Sequence, residues 1–204
     1  MTASWLRMAN ADDHRSELGP DYFRDAFPYS LPPLVQFESE PVRLNAPERI
    51  WITDTTFRDG QQSRAPYSVE QIVHLYSLLH RLGGAKGMVR QSEFFLYTKK
   101  DREAVERCQE LGYEFPEITG WIRGTLADYE LVRSAGLKET GILTSLSDYH
   151  IFKKLNSSRE EVIASYLEVV DAALVDGVVP RCHIEDSTRA DFYGVVLPFV
   201  RALM

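Results

Sequence analysis

An arginine, an acid and a glycine follow one another at Arg58, Asp59 and Gly60, directly after a short run of β-branched residues. The run begins at Ile50 and Ile52 and continues through threonines, which predicts a β-strand, and Gly60 supplies the backbone freedom of a tight turn at its end. Ligands bind at the carboxyl ends of strands in α/β proteins, so a guanidinium and a carboxylate at this point suit a binding or catalytic site. An ordinary surface turn explains the three residues equally well.

A second group of polar residues occupies alternate positions of another predicted strand, at Arg181, His183 and Glu185. Alternate side chains of a strand point to one face, so a cation, an imidazole and a carboxylate would line one wall of the interior. Asp186 and Arg189 follow in the next loop. A structural ion pair beside a satisfied core histidine is the alternative interpretation.

The elements that must position these residues are strands alternating with amphipathic helices, five times between residues 49 and 204. Three helices begin at capping signals, which are Ser68-x-x-Gln71, Thr125-x-x-Asp128 and Ser158-x-x-Glu161. We expect the fifth helix from about Arg189, with a kink or a break at Pro198. The loop that contains His150 and Phe152 has no predicted helix.

This alternation implies parallel strands with right-handed crossovers, hence a doubly wound sheet or a (β/α)₈ barrel. A barrel needs eight units and typically about 250 residues. The sequence therefore predicts the α/β class, with a partial TIM barrel of about five βα units in residues 49–204 and the chain as an N-terminal fragment. A complete five-stranded open sheet is the alternative.

Residues 1–48 contain six prolines among scattered aromatic side chains, a composition that opposes helix formation. Their apolar content predicts an ordered, extended arm that packs on the barrel or on a neighbouring subunit. A disordered leader is the alternative.

Composition narrows the functional class. The 204-residue chain is 44% hydrophobic and has a net charge of −7, which argues against nucleic acid as a partner. It has no apolar run of membrane-spanning length, and residues 1–10 lack the apolar stretch of a secretory signal, so no membrane partner and a cytoplasmic location are expected. Cys108 and Cys182 suggest neither a disulfide framework nor a zinc site.

The segment Asp54-Thr-Thr-Phe-Arg-Asp-Gly-Gln-Gln62 resembles the opening-strand signature of the DRE-TIM metallolyases, a family that includes isopropylmalate, homocitrate and citramalate synthases and hydroxymethylglutaryl-CoA lyase. Three further segments resemble the Re-citrate synthase branch most closely. They are Arg90-Gln-Ser-Glu-Phe-Phe-Leu-Tyr97, Thr119-Gly-Trp-Ile-Arg123 and Pro180-Arg-Cys-His-Ile-Glu-Asp-Ser-Thr-Arg-Ala-Asp191.

The resemblance implies roles for the residues around the first strand. Arg58 matches the catalytic arginine that stabilises oxyanion charge, and Asp59 matches a carboxylate ligand of a divalent metal, Mn²⁺ or Mg²⁺. Glu93 matches the second-strand glutamate that supports this catalytic site, and Gln62 matches a glutamine near the substrate. Gln61 stands where relatives often have glutamate.

The same resemblance implies that Arg181, His183 and Glu185 contact a 2-oxo acid, with Glu185 among the catalytic residues. Homocitrate synthases have serine where this sequence has His183, which leaves its role open. Arg123, at the end of the third strand, is a further candidate for binding the extra carboxylate of a dicarboxylic oxo acid. That set favours oxaloacetate or 2-oxoglutarate over a branched-chain oxo acid.

The family's other metal ligands are a His-x-His pair, and this sequence contains none. Its five histidines are all isolated, at positions 14, 74, 80, 150 and 183. Asp59 without such partners would be a weak metal ligand.

The resemblance as a whole implies a Claisen condensation of acetyl-CoA with a 2-oxo acid, preferably oxaloacetate giving citrate, by an acyltransferase that is a homodimer at full length. Homocitrate synthase and 2-isopropylmalate synthase are the alternatives within the class. A carbon–carbon lyase, a biotin-dependent carboxyltransferase domain and a catalytically incomplete fragment are the alternatives outside it.

Overall fold

The computed structural model of the chain describes residues 36–37, 40–41 and 47–204. The chain separates into two compact units, Met1–Pro47 and Glu48–Met204. In the first unit the strands β1 (Gln36–Phe37) and β2 (Glu40–Pro41) pair antiparallel. Most of the predicted arm, residues 1–48, lies outside the described residues.

The second unit is built on five parallel strands that are neighbours in the sheet in the same order as in the sequence. They are β3 (Ile52–Asp54), β4 (Val89–Phe94), β5 (Glu117–Arg123), β6 (Glu139–Ser145) and β7 (Val179–Glu185). Each is followed by a helix, namely α1 (Val69–Gly83), α2 (Lys99–Gln109), α3 (Leu126–Ser134), α4 (Arg159–Val175) and α5 (Leu197–Leu203). The predicted five βα units of a partial barrel are confirmed.

Capping side chains fix where the helices begin. Ser68 and Gln71 form a complete capping box at α1, and Ser158 forms one with Glu161 at α4. A third complete box, not predicted in the sequence analysis above, lies at α2, where Thr98 is the cap. Each of these three helices therefore starts at a defined point after its βα loop, which holds the loop residues near the strand ends.

The two faces of the sheet differ in chemistry. The outer face packs against the helices in a core that includes Phe94, Ile122 and Ile142. Alternate positions of the same strands face inward and carry polar or charged side chains, among them Glu93 and Thr119, both almost fully buried. Burying a carboxylate is costly unless it is paired. The buried polar side chains of the inner face therefore make it the candidate location of a functional site.

The segment after β7 differs from the prediction. Instead of a helix from Arg189, a short 3₁₀ turn at Ser187–Arg189 is followed by a π-helix at Phe192–Val196, and α5 begins only at Leu197. Pro198 lies in the first turn of α5 rather than at a kink. A proline is tolerated there because its missing N–H would have no partner within the helix.

The loop after β6 also contains a π-helix, at His150–Lys154. Its defining bond runs from the Leu155 N–H to the His150 carbonyl at 2.8 Å. Single π turns occur often at functional sites, although the sequence pattern predicted only a loop.

The outer strands of the sheet, β3 and β7, have no further strand beside them within the described part of the chain. Apolar side chains at these edges are exposed, with Ile50 at 72%, Trp51 at 61% and Val179 at 56%. Within the described part of the chain, none of the helices has both the length and the apolar character of a membrane span.

Candidate active site

The turn after β3 is held by side chains that bind backbone and by a neighbouring strand. Asp54 accepts hydrogen bonds from Thr56 Oγ1 at 2.6 Å and from Ser92 Oγ of β4 at 2.8 Å. The Thr55 carbonyl accepts from the Arg58 N–H at 3.1 Å. Arg58 therefore leaves the strand end from a fixed backbone, as the sequence predicted.

Gln61 has a structural role, not predicted from the sequence, in holding the loop after β3. Its amide donates to the Phe57 carbonyl at 2.7 Å and its oxygen accepts from the Tyr67 N–H at 3.1 Å. The side chain thus closes the loop between the 3₁₀ turn at Asp59–Gln61 and α1. Gln62, the predicted substrate ligand, has an exposed side chain at the end of that turn.

Glu93 joins the two predicted arginines at the inner face of the sheet. Its carboxylate is 2% exposed, with Oε2 in an ion pair 2.7 Å from Arg58 Nε, and Oε1 accepts from Arg181 Nη2 at 2.8 Å. Arg181 also forms an ion pair with Glu139, at 3.0 Å. The structure thus brings together Arg58 from the loop after β3, Glu93 from β4 and Arg181 from β7. A buried acid between two arginines is stable only because all three are present.

Trp121, on the inner face of β5, completes this group and carried no predicted role. The Arg58 guanidinium carbon lies 3.8 Å from the centroid of its indole ring. The ring also packs against the imidazole of His183, with centroids 4.5 Å apart and planes at 61°.

His183 faces the same interior as Arg181, as strand parity predicted. Burial lowers its pKa from 6.5 to about 4, and the nearby charges of Arg181 and Arg58 act in the same direction. The imidazole is therefore neutral at pH 7. Its Nε2 atom is buried and has no hydrogen-bond partner among the described residues. A ligand oxygen at this point would supply one.

Glu185 belongs to a separate group at the carboxyl ends of β6 and β7. Its Oε2 accepts from Ser145 Oγ and from Lys154 Nζ, the latter at 3.1 Å, and lies 3.3 Å from His150 Nδ1. Burial alone raises the pKa of Glu185, but the hydrogen bonds from Ser145 and Lys154 outweigh it and hold the pKa below its ordinary value. Glu185 is therefore ionised at neutral pH.

His150 and Lys154 are the first and last residues of the π-helix, and both meet the Glu185 carboxylate. Residues four positions apart lie on one side of a helical turn. No pattern in the sequence signals this turn, and His150 is isolated in the sequence.

Arg123 is not joined to the Arg58–Glu93–Arg181 group by any contact of the described residues. Its guanidinium makes a bidentate pair with Asp128 at the start of α3, at 2.7 and 2.8 Å. Burial raises the pKa of Asp128, but the bonds from Arg123 and Tyr97 outweigh it and hold the pKa below its ordinary value. A substrate carboxylate would have to compete with this pair for Arg123.

Asp59 lies beside Arg58, with its carboxylate 2.9 Å from Arg58 Nη2 and 53% exposed. No group of three histidine, cysteine or acidic side chains that could hold a metal ion exists in the described part of the chain. One exposed carboxylate provides only one or two of the six or more ligands of a hard cation. The residues described here therefore do not fit a complete divalent-metal site.

Comparison with known proteins places this arrangement in a family. A family model described as HMGL-like matches residues 49–197, from the approach to β3 to the start of α5. The chain belongs to the HMGL-like family.

Two relatives of this HMGL-like chain are both named Citrate (Re)-synthase. It is 54% identical over 185 residues to a Citrate (Re)-synthase of Clostridium kluyveri, a match that covers 91% of this chain and 41% of that protein. It is 55% identical over 185 residues to a Citrate (Re)-synthase of Syntrophus aciditrophicus, covering 91% of this chain and 29% of that protein. The chain thus spans less than half the length of either relative.

The fold of this HMGL-like chain is similar to that of hydroxymethylglutaryl-CoA lyase from Pseudomonas aeruginosa. The TM-score is 0.56 at 18% sequence identity, and the match covers 69% of this chain and 47% of the lyase. At that identity the likeness supports the partial-barrel fold alone.

Proposed function

We propose that this chain takes part in an acyl-CoA-dependent Claisen condensation that joins acetyl-CoA to oxaloacetate and gives citrate. The observation that carries the proposal is the similarity to two Citrate (Re)-synthases, which extends over 91% of this chain at 54% and 55% identity. In the reaction the acetyl methyl group loses a proton and its carbon attacks the ketone carbon of the oxo acid. Water then hydrolyses the thioester of the product to citrate and CoA.

The residues around Glu93 suit an anionic substrate with two carboxylates. We assign Arg58 to the developing alkoxide of the attacked ketone, because a fixed guanidinium stabilises charge that appears in the transition state. Arg181 would bind a carboxylate of the oxo acid, with the neutral imidazole of His183 beside it. Glu93 keeps both arginines in place through its two oxygens.

The charge of Arg181 also disfavours the binding of a branched-chain oxo acid. The apolar side chain of such a substrate would lie against Arg181, a charge that an apolar group cannot hydrogen-bond. A carboxylate of a dicarboxylic oxo acid can share Arg181 with Glu93 and Glu139, which an apolar group cannot do. Oxaloacetate is therefore preferred over 2-oxoisovalerate.

Synthases of this family act with a divalent metal and acetyl-CoA. For this chain we propose Mn²⁺ or Mg²⁺, with Asp59 as one ligand and the others outside the described residues. The net charge of the site supports the binding of a metal cation. Arg58 and Arg181 face Glu93, Asp59 and Glu139, which are two positive and three negative charges, a net of −1. A bound divalent cation would change this net charge to +1, which favours the binding of a dianionic substrate beside the two arginines.

The test is an assay of the protein in its natural full-length form with acetyl-CoA and Mn²⁺, following release of free CoA with oxaloacetate, 2-oxoglutarate or 2-oxoisovalerate. CoA release with oxaloacetate is expected. Cleavage of the product, made from labelled acetyl-CoA, by a stereospecific citrate-cleaving enzyme then reports which face of the ketone was attacked. Release with 2-oxoglutarate alone would move the proposal to homocitrate formation, and release with none of the three would overturn it.

A further inference from the structure

The aromatic residue of the Thr119-Gly-Trp-Ile-Arg123 segment lies in an unusual setting. Trp121 is 8% exposed, on the sheet face that also carries Glu93, Arg181 and His183. It is in contact with the Arg58 guanidinium at 3.8 Å, the shortest arginine–aromatic distance among the described residues. A guanidinium over a buried indole face is attracted by the ring's negative charge density, and the attraction is strongest where water is excluded.

The indole lies against a strand position that has no side chain. Gly141 of β6 pairs with Trp121 in the β5–β6 register. A Cβ atom at position 141 would lie 2.5 Å from Trp121 Cε3, closer than two carbon atoms approach without displacement. The imidazole of His183 also packs against the ring. The indole therefore occupies space that a side chain at position 141 would take.

Arg58 has carboxylates at its edge and an aromatic ring at its face. Nε lies 2.7 Å from the buried Glu93 and Nη2 lies 2.9 Å from the half-exposed Asp59. Contacts at the edge direct the N–H groups, but a half-exposed carboxylate such as Asp59 restrains them weakly. Trp121 against the face adds a restraint on the plane of the guanidinium.

We infer that Trp121 is a positioning residue, which holds the Arg58 guanidinium in one plane toward Glu93, and that Gly141 is required because it leaves room for the indole. The effect on turnover rests on the function proposed above, whereas the effect on the geometry of Arg58 does not. The closing experiments therefore measure both.

The first experiment is a double-mutant cycle on the full-length protein. Trp121→Leu should lower kcat about five- to thirtyfold, the range expected for a buried cation–π contact, while Trp121→Phe retains most of the activity. In an Arg58→Gln background, which removes the cation, Trp121→Leu should have little further effect on kcat, because the contact between the two residues is already lost. The matched control is Trp51→Leu, at an exposed tryptophan 4.9 Å from Arg90, which should leave kcat unchanged. Equal effects of Trp121→Leu in both backgrounds would overturn the inference.

The second experiment needs no turnover. The Nε–H proton of an arginine held against an indole face is shifted upfield in the NMR spectrum by the ring current, and loss of the signal in Arg58→Lys assigns it. Trp121→Leu and Gly141→Ala should both remove the upfield shift, whereas Trp121→Phe should keep part of it. An unmoved signal would refute the positioning role, even if the assays support citrate formation. If the variants lose the upfield shift but the wild type turns over no oxo acid, the positioning of Arg58 by Trp121 is supported and the proposed function is refuted. If Trp121→Leu does not fold, Gly141→Ala and Trp121→Phe carry the test.

Discussion

The guanidinium of Arg181 on β7 donates to the carboxylate of Glu93 on β4 at 2.8 Å, although two strands lie between them in the sheet. Strands three places apart in a flat sheet are about 14 Å apart. Side chains stand roughly perpendicular to a sheet, so Glu93 and Arg181 meet across that distance only if the sheet curves inward. The bond is therefore a direct consequence of barrel curvature, and it ties the first half of the unit to its end.

Glu93→Gln should destabilise the protein strongly. The change keeps the size of the side chain and removes the charge that both Arg58 and Arg181 require, so two guanidinium groups are left facing each other. Breaking a buried pair of this kind costs about 3 kcal/mol in free energy of unfolding. Urea titration measures it. The control is Glu70→Gln, whose exposed carboxylate pairs with Arg107 on the helix surface, and which should have little effect. Equal stability of the two variants would contradict the central role of Glu93.

Arg181→Ala should raise KM for oxaloacetate by roughly ten- to a hundredfold, the cost of losing one charge-assisted hydrogen bond. Pyruvate lacks the second carboxylate, so its KM should rise less. Steady-state kinetics with both oxo acids provide the comparison. Arg133→Ala is the control, because that residue pairs with Glu130 on an exposed helix surface. A parallel rise for both substrates would show that Arg181 does not bind the distal carboxylate.

Asp59→Ala should abolish metal-dependent turnover of the full-length protein, and a chelator should have the same effect on the wild type. Restoring Mn²⁺ should recover the activity of the wild type but not that of the variant. Asp171→Asn, at an exposed position on α4, serves as the control and should respond to chelator and metal like the wild type. Retained activity of Asp59→Ala would exclude this carboxylate as a ligand.

Stability should fall on acidification because of His183. Its folded-state pKa of about 4 lies below the ordinary value of 6.5, so the unfolded chain binds more protons between these two values. The free energy of unfolding contributed by this group therefore decreases as pH falls from 6.5 to 4, by on the order of 2 kcal/mol once partial solvent exposure is considered.

Urea unfolding at pH 7 and pH 4.5 compares the wild type with His183→Gln, which lacks the titrating group and should lose less stability. His74→Gln, at an exposed position on α1, should behave like the wild type. The same pH dependence in all three proteins would refute the assignment.

Sequence patterns predicted the scaffold well because its signals are local. Capping boxes at Ser68 and Ser158 depend on residues three positions apart, and helical or strand periodicity depends on a few neighbours. Strand parity likewise predicted that Arg181, His183 and Glu185 share the inner face. The curvature that brings Glu93 to Arg181 comes from the sheet as a whole.

The parts of the site that were missed depend on contacts between distant segments. Nothing near Trp121 in the sequence indicates that Gly141 leaves room for its ring. Arg123 matched a rim position, but its pairing with Asp128 competes with a substrate role. The π turns after β6 and β7 have no periodic signature. For this reason neither the meeting of His150 with Glu185 nor the late start of α5 could be predicted.

Among the described residues, β3 has a partner strand on one side only, which has a practical consequence for handling this chain. Ile50, Trp51 and Ile52 present exposed apolar side chains at this edge, and such an edge can recruit a strand from another molecule. Expressed as these 204 residues, the chain should aggregate in a concentration-dependent manner unless the edge is covered. Replacing Ile50 with lysine should keep it dispersed, because a charged side chain at an edge strand opposes fibre-like stacking.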